Sequence, residues 1–170
     1  MFYRLFIPKQ AGGATGVVHF DLFNGSAAAS IMRVHSVRVL VSGDTVITGV
    51  TSSDSLLTRT SAVGTGGTAA TYNGATLTAA TITGIDGDQP CPAGITARLT
   101  PTGGATAGAV IGLRSVFTEE ANAGSYVPAL DFIIGPPLVV NSNTGIRAVQ
   151  DAVTGLGKVF YDVLFEVTPR

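Results

Sequence analysis

Residues 159–167 read VFYDVLFEV. Val159, Tyr161, Val163, Phe165 and Val167 fall on one parity, and Phe160, Asp162, Leu164 and Glu166 on the other. A strand turns successive side chains to opposite faces, so this alternation supplies one apolar face for a core and one mixed face. The segment reads as a β-strand with its odd-numbered residues turned inward.

The rest of the chain carries the same signal in shorter pieces. Ile95, Ala97 and Leu99 alternate with Thr96, Arg98 and Thr100, and Ile111, Leu113 and Phe117 with Gly112, Arg114 and Thr118. Residues 31–41 (IMRVHSVRVLV) form the longest candidate strand, and their phase changes midway. Met32 and Val34 share one parity, whereas Val37, Val39 and Val41 share the other. A bulge near His35-Ser36 restores a single apolar face; a strand crossing between two neighbour environments does the same. Further strands are expected at residues 17–23, 46–51, 56–60, 75–82, 131–134 and 138–140. Between them lie the turn formers GTGG at 64–67, Asn73-Gly74, DGD at 86–88, PTGG at 101–104 and Pro136-Pro137. Residues 145–153 also fit a helical stripe through Ile146, Val149 and Val153 with Thr144 as cap. The strand is preferred, because Gly155 and Gly157 soon break the segment. About ten short strands at this spacing predict an all-β chain, an antiparallel β-sandwich or barrel. No fixed-period repeat suggests a propeller or solenoid. Residues 62–80 are low in complexity, a Gly/Thr/Ala stretch that suits a loop or a closely packed strand.

Composition narrows the function. With 170 residues the chain forms one core that needs no cross-link. Charged residues make up 12%, against about 25% in an average protein. The formal net charge is −1, and two lysines and eight arginines are scattered, so no basic footprint marks a nucleic-acid binder. A hydrophobic content of 45% excludes a disordered chain. No apolar run approaches the ~18 residues of a membrane span. The single cysteine excludes a disulfide framework. Residues 1–7 (MFYRLFI) are too short for a signal sequence, with their charge inside the apolar run, and read as part of the mature protein. The Asn24-Gly25-Ser26 sequon carries meaning only in a chain secreted by a eukaryotic route. A surface so poor in charge resists association weakly.

A search for reaction chemistry returns nothing coherent. His19 and His35 each sit within a strand. No G-x-S-x-G elbow occurs, and Ser26 lacks the second glycine. Cys91, in QPCPAG, has no base or cation beside it to make a thiolate, and reads as structural. Glu119 and Glu120 are adjacent and would face opposite sides of a strand. Asp86-Gly87-Asp88 lacks the later glutamate of a calcium loop and reads as a turn. The 64–67 glycines lack the lysine of a phosphate loop. No catalytic, cofactor or metal residues are therefore expected.

What remains is surface for partners. Phe2, Tyr3, Arg4 and Phe6 belong to an aromatic-rich start with two readings: a first strand packed in the core, or an arm inserted into a neighbouring subunit. Exposed aromatics are costly unless covered, and aromatic anchors dominate interface energies. Residues 1–16 are thus an N-terminal arm or first strand, and residues 17–170 a single sandwich domain.

The middle of the chain resembles small virion structural proteins of tailed bacteriophages. The resemblance lies in LFNGSAAASIMRVHSVRVLVSG (22–43), LLTRTSAVGTGGTA (56–69), PLVVNSNTGIRAV (137–149) and the terminal strand 159–167. It covers about two thirds of the chain, in strand-and-turn patterns without a catalytic signature; residues 71–90 depart from it. The resemblance implies a jelly-roll-like β-sandwich and a non-enzymatic capsid decoration (cement) protein. Such a protein binds major capsid protein subunits on the virion surface, commonly as a homotrimer, without a small-molecule substrate. Low charge suits that role, because fewer ions lose their water when large surfaces meet. The alternative is a tail or fibre component whose β-sandwich binds carbohydrate or a receptor, disfavoured by the absence of Trp. A small hydrolase is disfavoured by the missing nucleophile–base set.

Overall fold

The computed structural model describes residues 1–11, 15–25, 30–42, 51–73, 79–87, 90–103, 107–118, 129–153 and 158–168. Expected features at residues 46–50 and 75–78, Ser26, Gly74, Asp88, Gly104, Glu119, Glu120, Gly155 and Gly157 lie outside them. Among the described residues, thirteen strands follow in chain order: β1 (Phe2–Ala11), β2 (Val18–Asn24), β3 (Ile31–Ser42), β4 (Thr51–Thr60), β5 (Thr68–Ala69), β6 (Thr71–Tyr72), β7 (Thr81–Gly84), β8 (Ile95–Leu99), β9 (Ala107–Thr118), β10 (Leu130–Asp131), β11 (Leu138–Val140), β12 (Thr144–Val153) and β13 (Lys158–Thr168). No helix occurs among the described residues.

The strands form two sheets packed as a sandwich. One has the order β10-β3-β13-β1-β7-β6, with β11 also pairing β3. The other runs β5-β8-β2-β12-β4-β9. Every pairing is antiparallel except the short β6–β7 contact.

The terminal alternation does what its pattern requires. Val159, Tyr161, Val163, Phe165 and Val167 are all buried, while Phe160, Asp162, Leu164 and Glu166 are half-buried on the outer face. Each large apolar side chain taken fully out of water contributes about 1.5–3 kcal/mol, so β13 is a principal source of stability. It lies between β1 and β3, tying the two ends of the chain together. The phase change in β3 is a bulge: Ser36 opposes Leu164, Val34 opposes Phe165, and His35 is the extra residue. Met32, Val34, Val37 and Val39 are consequently all buried. Residues 145–153 are strand, inside β12.

Two segments depart from the simple alternation. In β9, Gly112 opposes Leu57 but Val110 opposes Thr58, so Ile111 is bulged. Ile111 and Leu113, which share a parity in the sequence, are thereby separated. Ile111 packs against the core and Leu113 faces out with Val110. The strand expected at 131–134 stops at Asp131. The Asp131 carboxylate accepts the Val37 and Ile133 N–H groups at 3.1 and 2.9 Å, a side-chain substitute for the ladder that turns the chain away.

Candidate functional site

The sequence-selected residues lie on β1, which pairs with β13 on one side and β7 on the other. Tyr3, Leu5 and Ile7 point into the core and are buried. The Tyr3 ring stacks on Phe165 with centroids 5.5 Å apart, and its hydroxyl donates to the Pro90 carbonyl at 3.2 Å. Burial raises the Tyr3 pKa, so the hydroxyl keeps its proton. Phe2, Arg4 and Phe6 point outward. The fold therefore divides the four residues: Tyr3 is a core residue, and the other three belong to the outer face of the larger sheet.

That face has a definite character. Its half-buried aromatics sit in pairs: Phe6 against Phe160 at 6.3 Å, and Phe2 against the His35 ring at 5.2 Å. Arg4 and Arg38 are matched by carboxylates on the same face. Both Arg4 guanidinium donors used here reach the two Asp162 oxygens, with Nε–Oδ1 at 2.6 Å. Arg38 Nε lies 3.6 Å from Asp131, and His35 Nε2 lies 3.5 Å from Glu166. The Arg4 pairing raises the guanidinium pKa still further, first through the hydrogen bond to Asp162.

A second polar group lies inside the sandwich. His19 Nε2 donates to Gln150 Oε1 at 3.1 Å, and Tyr161 and Ser55 share a hydroxyl–hydroxyl bond of 3.0 Å. The His19 and Tyr161 rings are 5.5 Å apart. Burial lowers the His19 pKa, and the bond to Gln150 opposes this only partly. The imidazole is thus neutral, with its bare Nδ1 lacking a hydrogen-bond partner. Burial likewise raises the Tyr161 pKa. All four residues are buried and bond in pairs, His19 with Gln150 and Tyr161 with Ser55. Cys91 is similarly unreactive, its thiol pushed up to about 12 by burial.

On the outer face of the smaller sheet, the cross-strand row Arg98–Asp21–Arg147–Thr58 spans β8, β2, β12 and β4. Asp21 is buried under the 61–67 loop, whose Gly64 N–H donates to Oδ2 at 2.6 Å. A side chain at Gly64 would collide with this carboxylate and with Pro101, so glycine is what lets the loop lie flat. Burial raises the Asp21 pKa, while hydrogen bonds from Gly64 and Arg98 and the arginine charges pull it back. Beside the row lies an open cleft of about 470 Å3 lined by Val17, Val18, Thr100, Pro101, Thr102 and Arg147.

The third feature is the seam where β9 meets the β10–β11 segment. Arg114 Nε donates to the Asp131 carbonyl at 2.6 Å, and its guanidinium lies 5.7 Å from the Phe132 ring centre. Arg59 donates to the Val139 carbonyl at 2.7 Å. The two arginines clasp the smaller sheet to the edge of the larger one. Around them Val110, Leu113, Ile134 and Val139 are 61, 45, 84 and 41% exposed.

Asp131, Asp21 and the seam arginines escaped the sequence reading. A bulge at β9 and a loop folded over Asp21 are needed before their positions have meaning, although isolated charges in a charge-poor chain were a usable signal. Among the described residues, no three His, Cys, Asp or Glu side chains gather as a metal set. Comparison with protein-family models, with curated proteins and with solved structures found no match.

Proposed function

We propose that the protein is a non-enzymatic virion component, a capsid decoration protein that binds between major capsid protein subunits and stabilises the phage head. The observation that supports it is the outer face of the larger sheet. Half-buried Phe2, Phe6, Phe160 and Leu164 offer apolar area, and the neighbouring Arg4 and Arg38 already have carboxylate partners on the same face. Covering such a face removes apolar surface from water while those two arginines keep their partners. The jelly-roll likeness and the homotrimer belong to this same proposal. A threefold copy would present the face repeatedly, so that modest contacts gain avidity.

Saturable binding to expanded capsid shells, with greater capsid resistance to heat or chaotrope, is the expected result. The double variant Phe2→Lys, Phe6→Lys should weaken binding by about tenfold or more while the core melts normally. Absence of shell binding, with capsids equally stable without the protein, overturns the reading. The tail or fibre alternative draws support from the Arg147 cleft, whose threonines and arginine suit polyhydroxylated or anionic ligands. Glycan binding lost in Arg147→Gln would favour it.

A further inference from the structure

Two backbone irregularities frame the cleft beside Arg147. In β2, Phe20 opposes Ala148 and Val18 opposes Val149, so His19 is an extra, bulged residue. Just past β8, Thr100 has a φ of +45°, a left-handed backbone that a β-branched residue adopts only under constraint. The two are joined, because the Thr100 N–H donates to the His19 carbonyl at 3.0 Å. Gly67 packs against the same turn. A Cβ there would lie 2.2 Å from the Leu99 carbonyl oxygen and 2.6 Å from that of Thr100. The Thr65 N–H donates to the Gly103 carbonyl at 2.7 Å, and the Thr102 N–H to the Thr65 carbonyl at 3.0 Å. The wall formed by residues 100–103 is therefore held in shape without a ligand. Bulges and strained residues gather where a fold shapes a site.

The chemistry of the lining selects the ligand. Arg147 is half-buried and, among the described residues that line the cleft, is the one charged side chain. Val17, Val18 and Pro101 supply apolar walls, and Thr100 and Thr102 bring hydroxyl groups. One guanidinium matches one carboxylate, a pairing that allows two parallel hydrogen bonds. A phosphate dianion fits less well, because Asp21 stands next to Arg147 in the cross-strand row and would repel the second charge. Apolar walls and hydroxyls together suit a sugar ring, which has a C–H face and hydroxyl edges. The volume of about 470 Å3 is large enough for a small saccharide. Among the described residues no aromatic ring lines the cleft, so millimolar affinity is expected. We propose that the Arg147 cleft binds a carboxylated saccharide, a uronic-acid unit of an acidic glycan. This gives the tail or fibre alternative its ligand class and rests on that reading for its biological setting. The cleft belongs to the smaller sheet, whereas the face assigned to capsid contact belongs to the larger one.

The test titrates the whole protein with digalacturonate, its neutral methyl ester, acetate and inorganic phosphate, followed by amide chemical shifts. The expected result is saturable perturbation centred on residues 16–18 and 100–103. The ester should bind about tenfold more weakly, and added salt should weaken the acid alone. Arg147→Gln should lose the preference for the acid. Where that chain fails to melt like wild type, Thr102→Glu decides, because it sits at an exposed position on the wall. It should weaken binding of the acid by about tenfold with a wild-type melting curve. Equal binding of acid and ester, shifts elsewhere, no binding, or undiminished binding in folded Thr102→Glu overturns the proposal. So does acetate or phosphate binding as tightly as digalacturonate, since the sugar would then contribute nothing. If neutral glycans bind the cleft as well as the acid does, this proposal falls and the tail or fibre reading stands. If digalacturonate binds as expected but no intact glycan or cell surface does, that reading falls and the site stands.

Discussion

His19 is a residue whose ionisation the fold opposes through burial. Its folded pKa is lowered by burial, so the unfolded chain binds the proton more readily. The stability tied to neutral His19 is therefore present above the unfolded value near 6.5 and is lost as pH falls below it. The slope approaches about 1.4 kcal/mol per pH unit until the folded pKa is reached. Asp21 acts with the opposite sign: its raised folded pKa favours the native state below the unfolded value of 3.8, and that share is lost as pH rises from there through the folded pKa. Urea unfolding at pH 7.5, 6.5 and 5.5 should show a decline that His19→Gln removes. An undiminished slope in the variant would assign the decline elsewhere. Tyr161→Phe leaves Ser55 without its partner and should cost about 1–2 kcal/mol by the same measurement. At Gly145, the second residue of β12, an added Cβ would lie 2.6 Å from the Leu22 carbonyl oxygen and 2.9 Å from the Phe23 ring. Gly145→Ala should therefore destabilise by about 1–3 kcal/mol despite the better strand entropy of alanine.

Among the elements, β13 and β1 show how directly a strand can be read when both its faces have distinct chemistry. In β13 the residue type alone separates Tyr161 and Phe165 from Asp162 and Glu166, because alternation has a period of two and no interruption. In β3 the phase slip was legible for the same reason, and the pairing with β13 shows that it is a bulge. β9 was not. Its bulge interrupts a run of similar small and apolar residues, and no change of polarity records the slip. β1 is seated between two strands with Tyr3, Leu5 and Ile7 buried. Those three side chains together are worth about 5–9 kcal/mol, comparable with the whole stability of a small domain. Removing residues 1–8 should therefore abolish the cooperative thermal transition seen by circular dichroism. A truncated chain that still melts cooperatively near the wild-type temperature would show that β13 holds without it.

The whole molecule is a sandwich closed by its own termini, since β1 pairs with β13 across nearly the full chain. Contacts of such sequence separation make folding slow, on the order of milliseconds to seconds. Stopped-flow refolding should fall in that range, and a microsecond phase carrying the full signal would contradict it. The low charge fraction takes on a structural meaning at this level. On the outer face of the larger sheet, charges meet partners on adjacent strands; at the seam, the arginines meet backbone carbonyls.

Sequence alone determined that the chain is all-β, where its clearest strands run, which side of β13 and β8 is buried, and that the phase of β3 slips midway. These are local consequences of period-two burial, and each is written within a few consecutive residues. Only the tertiary structure decided that Tyr3 belongs to the core while Phe2, Arg4 and Phe6 line a face. It alone set Asp21 beneath a glycine loop, sealed His19 with Gln150, and carried Arg59 and Arg114 to the Val139 and Asp131 carbonyls of the other sheet. Those placements join residues far apart in the chain, through registers and bulges that depend on what the opposite strand presents. A side chain's neighbours across a sheet are set by pairing energy summed over whole strands, and no single segment carries that sum.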